Sequence, residues 1–188
     1  MIKNQYKGKG FEPYLSGEQS FDPEFLVSIY HDMLRIRMVE EEIEKRYHED
    51  EMKSPIHLVI GQEAVSVGSC AALRKDDLAF CGHRTHGVYL AKGGDLKAMM
   101  AELYCRLNGC AGSRGGSMHL YDKSVGMESS SAIVAGSVPT AVGAALSARL
   151  QGLDRVSASF LGDAGVEEGA FWEALNFAAL KKLAVVFV

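Results

Sequence analysis

The chain has 188 residues, 47% hydrophobic and 23% charged, which is enough for one domain with a sizeable core and too few for two comfortable ones. Its 20 Lys and Arg against 24 Asp and Glu leave a net charge of −4, so nothing offsets a phosphate backbone and nucleic-acid binding is not expected. No apolar run approaches the roughly 20 residues that cross a bilayer, and no secretion signal precedes the four cysteines, which points to free thiols in a reducing, cytoplasmic setting.

Residues 1–20 mix Lys, Gly, Ser and Glu without periodicity and are expected to form a flexible arm, with 21–188 as the folded unit. A long helix is predicted at about 23–49. Asp22 can cap it, Pro23 suits its first position, and Glu24 complements its positive end. Leu26, Ile29, Tyr30, Met33 and Leu34, continued by Ile36, Val39, Ile43 and Tyr47, mark its apolar face. Its charges, the Arg37 and Glu41 pair included, and His31 and His48 are expected to face water.

A helical stretch follows near Gln62–Leu73, then a turn at Lys75–Asp77 and a short strand at Leu78–Cys81. Asp95–Leu107 reads as an amphipathic helix with Leu96, Met99, Met100, Leu103 and Leu107 on one side. The glycine-dense run Asn108–Ser117 is either a plain surface loop or a backbone that approaches something large. Pro139 opens a small-residue helix, Thr140–Leu150, ended by Gly152. The final stretch reads as a strand at Arg155–Leu161, a tight turn at Gly162–Gly165, a helix at Glu167–Leu180 and an apolar strand at Leu183–Val188. That β-α-β unit implies an α/β fold with a parallel sheet buried on both faces and flanked by helices. Because the chain stops inside the last strand, it is expected to be a truncated piece of something longer.

In open α/β sheets, ligands bind beyond the C-terminal strand ends. Asp163 falls there, just after Gly162 and at a helix start, where a lone carboxylate suits Mg²⁺ shared with a diphosphate. Spacing alone leaves open, and favours, the plainer role of a capping Asp. His83-Arg84-Thr85-His86-Gly87 also follows a predicted strand; Arg84 could hold phosphate or simply lie exposed, and Cys81, His83 and His86 are too close together in sequence to converge readily on zinc. His57 alone reads as a loop histidine. The chain contains no G-x-G-x-x-G, no P-loop and no Gly-x-Ser-x-Gly, which weakens dinucleotide, NTPase and nucleophile-elbow readings.

Taken together, His57-Leu58-x-x-Gly61-Gln62-Glu63-Ala64, His83-Arg84-x-His86-Gly87, Gly115-Gly116-Ser117-Met118-His119 and Gly162-Asp163, with Asn176–Leu183 adding to the match, define a pattern. In this order it resembles the alpha subunit of thiamine-diphosphate-dependent 2-oxo acid dehydrogenases, the decarboxylating component of the pyruvate, branched-chain 2-oxo acid and acetoin dehydrogenase complexes. The likeness runs from about residue 25 to 188. It implies the thiamine-diphosphate-binding fold, truncated at the C-terminus, with thiamine diphosphate and Mg²⁺ as cofactors. The implied activity is oxidative decarboxylation of a 2-oxo acid of pyruvate or branched-chain type, or acetoin cleavage. The implied partners are a beta subunit, in an alpha2beta2 heterotetramer, and a lipoyl-bearing acyltransferase.

The resemblance also implies residue roles. Asp163 would be the Mg²⁺ ligand, with Gly162, Ala164 and Gly165 lending backbone to the diphosphate. Arg84 would bind a diphosphate oxygen, with His83 beside it where relatives often carry Tyr. His57 would act at the substrate end, and the main chain of Ala132 and Val134 would contact the aminopyrimidine ring. His119 and Ser117 would organise the glycine-rich loop. The glutamate that activates the pyrimidine belongs, in this family, to the beta subunit. Two departures stand out: Ala164 replaces the second Gly of the family's Gly-Asp-Gly, and the Asn pair that closes the motif would fall past Val188. The chain by itself is therefore expected to be inactive. A non-catalytic remnant of this fold and an unrelated phosphate- or nucleotide-binding α/β module are the alternatives.

Overall fold

The computed structural model describes residues 22–188, so the expected N-terminal arm lies outside the described residues. In chain order the elements are α1 (Pro23–Tyr47), α2 (Glu63–Ala71), β1 (Leu78–Cys81), α3 (His86–Ala91), α4 (Leu96–Leu103), a 3-10 turn at Lys123–Val125, β2 (Met127–Ser130), α5 (Ser137–Leu150), β3 (Ser157–Phe160), α6 (Asp163–Val166), α7 (Gly169–Lys181) and β4 (Val185–Phe187). The four strands form one parallel sheet in the order β2-β1-β3-β4, the α/β architecture that the sequence predicts.

The strand period of two divides the sheet into two faces. Ala79 pairs with Ala158 and Cys81 with Phe160, and these side chains join one core with Ile36, Ile43, Val88, Tyr89, Met99 and Leu103 from α1, α3 and α4. On the other face Ser157 aligns with Val185 and Ser159 with Phe187, where Val185 and Phe187 meet Val138 and Val142 of α5 and Phe171 and Ala174 of α7. α5 packs on β3, and small buried residues on the helix (Ala141, Ala145, Ala148) together with buried serines on the strand let the two approach closely. The Ser159 hydroxyl has no hydrogen-bond partner among the described residues, a small cost of that approach.

Several expectations need correction. The last strand is not buried on both faces: β4 is an edge of the described sheet, and Val186 is half exposed. On α1, Asp22 caps as predicted by accepting from Glu24 N–H, yet Leu26, Tyr30 and Leu34 are exposed, and Glu40, expected in water, is fully buried. Arg37 is only 4.0 Å from Glu41 but 2.7 Å from Glu63 of α2. The helix predicted to reach Leu107 ends at Leu103. Cys105 turns left-handed (φ 54°), its N–H goes to Glu102 O and that of Arg106 to Ala101 O, a Schellman stop that leaves Leu107 in solvent. Neither α3 nor β2 is foreseen; each is short, and Met127-Glu128-Ser129-Ser130 shows no alternation.

At the N-terminal end of β1, the buried Asp77 carboxylate accepts from the N–H groups of Arg74 (2.8 Å) and Val156 (2.9 Å) and from the Arg74 guanidinium. It ties β1 to the approach to β3 at the sheet edge opposite the strand C-termini. Gly126, which leads into β2, has φ 76°, and a Cβ there would run into the Asp77 carbonyl oxygen. Gly126→Ala is therefore expected to cost about 2–4 kcal/mol, from left-handed strain plus displaced backbone. Urea unfolding measures it, and a loss within experimental error would show that the turn relaxes freely.

Candidate functional site

The strand order reverses direction between β1 and β3: the chain passes from β1 outward to β2, then returns to build β3 and β4 on the other side. Connections after two such strands diverge, so a crevice opens at their C-terminal ends. A cleft of about 600 Å³ lies there, lined by Gly82, His83 and Arg84 after β1, by Leu161, Gly162 and Asp163 after β3, and by Gln62 and Ser66 of the α2 region. Two motifs far apart in sequence thus meet at one site.

Asp163 begins α6 and is exposed. Its carboxylate has no hydrogen bond or ion pair among the described residues, and Glu168, not Asp163, precedes α7. The plainer reading of a capping Asp is not what the geometry gives: the N-cap of α6 is Gly162, without a side chain. Gly162 has φ −94°, which any residue can adopt, and a Cβ there would meet nothing within 4 Å. The fold itself does not require this glycine; its missing side chain keeps space open beside the carboxylate. The amides of Asp163 and Ala164 find no acceptor among the described residues, whereas the Gly165 N–H already bonds Gly162 O at 2.9 Å and Gly165 is buried. Gly165 is therefore not available as the backbone donor that the resemblance implies. Ala164 does not adopt positive φ, so its replacement of glycine is without strain.

On the opposite wall, Arg84 is exposed and its Nη1 donates to the carbonyl of Leu58. His83 stands edge-on to His57, ring centroids 4.9 Å apart. Burial, the neighbouring His57 and the Arg84 charge hold the His83 imidazole below its usual range, which keeps it neutral near pH 7. His57 reaches the cleft only through His83; it is half-buried behind the lining. Ala132 and Val134 lie at the same sheet edge, in the exposed connection from β2 to α5 that Ser131 N–H pins to Cys81 O at 3.1 Å, but they do not line the cleft.

The zinc reading fails on positive grounds. The Cys81 thiol is buried and pushed up to about 12, and both ring nitrogens of His86 are engaged elsewhere: Nδ1 lies 2.6 Å from Glu40 and Nε2 2.8 Å from Ser117 Oγ. Thr85 Oγ1 donates to Ser117 O (2.7 Å), Ser117 N–H donates to Ser54 Oγ (3.1 Å), and His119 Nδ1 lies 3.1 Å from Ser130 O. The glycine-rich run wraps the Glu102 carboxylate, which accepts from the N–H groups of Ala111, Ser113, Gly115 and Gly116 at 2.8–3.0 Å. What the loop approaches so closely is a buried side chain of its own chain.

Sequence reasoning missed Glu40 and Glu102. One signal was present for the first: Glu40 stands one turn from Ile36 and one from Ile43, on the buried stripe of α1.

Comparison with known proteins gives the family. Residues 31–188 match the family model described as "Dehydrogenase E1 component". The chain is 41% identical over 160 residues to the alpha subunit of acetoin:2,6-dichlorophenolindophenol oxidoreductase of Bacillus subtilis (strain 168), covering 85% of this chain and 48% of that protein. It is 39% identical over 177 residues to the pyruvate dehydrogenase E1 component subunit alpha of Zymomonas mobilis, covering 94% and 50%. The chain spans about half the length of the curated relatives it matches. By the extent of the match, the chain belongs to the dehydrogenase E1 component family.

Proposed function

We propose that the cleft between β1 and β3 binds the diphosphate of thiamine diphosphate through Mg²⁺, and that the chain serves as the alpha part of a 2-oxo acid or acetoin dehydrogenase component. The observation that carries this reading is the juxtaposition of an unengaged carboxylate, Asp163, with an exposed guanidinium, Arg84, across a cleft that Gly162 leaves open. Mg²⁺ takes one or two carboxylates and completes its shell with phosphate oxygens and water, so a single carboxylate beside free space fits it. The donor set on the other wall suits the remaining phosphate oxygens.

When bound, thiamine diphosphate supplies a carbon nucleophile and an electron sink for breaking the bond beside a keto carbon. The chain's own residues hold and orient. Asp163 anchors the metal, the Asp163 and Ala164 amides offer donors at the start of α6, and Arg84 presents its planar fork to phosphate. His83, neutral, donates or accepts a hydrogen bond without adding charge, and His57 stands behind it toward the substrate end. Ala132 and Val134, outside the cleft lining, are proposed as ring contacts only through their backbone. A beta subunit completes the site in an alpha2beta2 assembly, in a cytoplasmic setting, with a lipoyl-bearing acyltransferase as the acceptor of the product.

Arg84→Ala is expected to weaken thiamine diphosphate by about ten- to a hundredfold, the worth of one charge-assisted contact, while thiamine monophosphate changes by less than about threefold. Calorimetric titration of both ligands against the assembled protein measures this. Equal losses for the two would place Arg84 away from the diphosphate.

A further inference from the structure

Glu40, His86 and Ser117 are spaced like a nucleophile relay, 2.6 Å and 2.8 Å apart, yet none of the three exposes any surface, so no substrate reaches the hydroxyl. A buried carboxylate retained in such a place needs another explanation. Its second oxygen supplies one: Glu40 Oε2 accepts from the N–H of Val59 at 2.7 Å. Glu40 therefore joins two segments of the chain, far apart in sequence, behind the wall of the cleft that carries His83 and Arg84. Val59 belongs to the segment that carries His57 and the Leu58 carbonyl on which Arg84 rests. His86 opens α3, directly after His83-Arg84-Thr85.

We propose that Glu40 is a positioning residue: a clasp that fixes the His57–Val59 segment and the His83–His86 segment relative to each other, and so sets the orientation of Arg84 toward the cleft. The proposal deepens the function proposed above and rests on it for the ligand, but not for the clasp. Because a carboxylate only accepts, His86 Nδ1–H donates to Glu40, while Nε2 shares a hydrogen bond with the Ser117 hydroxyl, which serves as donor or acceptor. Ser117 O in turn accepts from Thr85, which closes the arrangement onto the same connection. Every polar atom of the clasp is satisfied, as its burial demands.

The chemistry separates two substitutions. Glu40→Ala removes both arms. Glu40→Gln keeps both if the imidazole inverts its tautomer, with the amide oxygen accepting from Val59 and the amide nitrogen donating to Nδ1. Asp77→Asn is the matched control: it loosens a buried carboxylate of the same sheet at the edge away from the cleft.

The test is carried out on the protein assembled with its beta partner, with two readouts. Amide hydrogen exchange reads the clasp without a ligand, and calorimetry with inorganic pyrophosphate and Mg²⁺ reads its consequence. Glu40→Ala is expected to speed exchange at Val59 and across 83–87, and to weaken pyrophosphate by about tenfold or more, the usual penalty for a misplaced binding group. Glu40→Gln should stay within about threefold of the parent. Asp77→Asn should speed exchange at Arg74 and Val156 while leaving the affinity unchanged. Should Glu40→Ala not fold, Glu40→Asp, one methylene shorter and able to reach only one of the two segments, takes its place. Unaltered exchange at Val59, or equal affinity losses in the Glu40 and Asp77 variants, would overturn the clasp. A parent protein that binds neither pyrophosphate nor thiamine diphosphate would instead overturn the proposed function, and the exchange data would still decide the role of Glu40.

Discussion

Asp163→Ala is expected to abolish Mg²⁺-dependent binding of thiamine diphosphate, a loss of about a hundredfold or more in affinity, or roughly 2.7 kcal/mol. Mg²⁺ relies on very few protein carboxylates, and Asp163 is the only side-chain carboxylate that lines the cleft among the described residues. The same substitution should leave stability within about 0.5 kcal/mol, because the side chain is exposed and bonds nothing among the described residues. Calorimetry and thermal unfolding on one preparation give both numbers. Unchanged affinity, or a comparable fall in stability, would remove Asp163 from the metal site.

The second large effect concerns folding. Glu102 is fully buried and satisfies four backbone N–H groups of the 111–116 run. Glu102→Ala leaves those donors without an acceptor and is expected to cost about 3–5 kcal/mol. Glu102→Gln turns an NH2 group toward two donors and should fall only slightly short of that. Burial alone would raise the Glu102 carboxyl, but the N–H groups of Gly116, Ser113, Gly115 and Ala111 outweigh it and hold the group below the ordinary glutamate range. The sign follows from linkage. A carboxyl depressed in the folded state contributes stability that is present above its unfolded value of about 4.3 and is lost as pH falls through the folded value. Urea unfolding between neutral pH and pH 3 should therefore show a steeper acid loss in the parent than in Glu102→Gln. Parallel acid limbs would mean that the charge of Glu102 does not hold the loop.

These carboxylates also mark the boundary of what local sequence reveals. Local signals were sufficient where a cap, a turn and a period coincided: β1 runs over the residues predicted for it, Asp22 and Asp95 cap α1 and α4, and α7 follows its predicted span to within two residues. The cleft residues His83, Arg84, Gly162 and Asp163 were legible because chemistry-bearing residues at strand ends converge in an α/β sheet. Glu40 was legible only through its place on the buried stripe of α1, because it heads the run Glu40-Glu41-Glu42, which looks solvated until its partners arrive from 19 and 46 residues away. Glu102 was hidden for the same reason, its donors lying in a loop whose glycines looked merely flexible. Exposed Leu26, Tyr30 and Leu34 show the converse: an apolar stripe announces that a face can be buried, not that this chain alone buries it.

The decisive measurement is a calorimetric titration of the protein, assembled with a beta subunit, with thiamine diphosphate in the presence and absence of Mg²⁺, and with NAD under the same conditions. Saturable binding of thiamine diphosphate that disappears when Mg²⁺ is chelated, with no heat from NAD, is the predicted result. Binding of NAD in preference to thiamine diphosphate, or thiamine diphosphate binding indifferent to the metal, would contradict the assignment of the β1–β3 cleft.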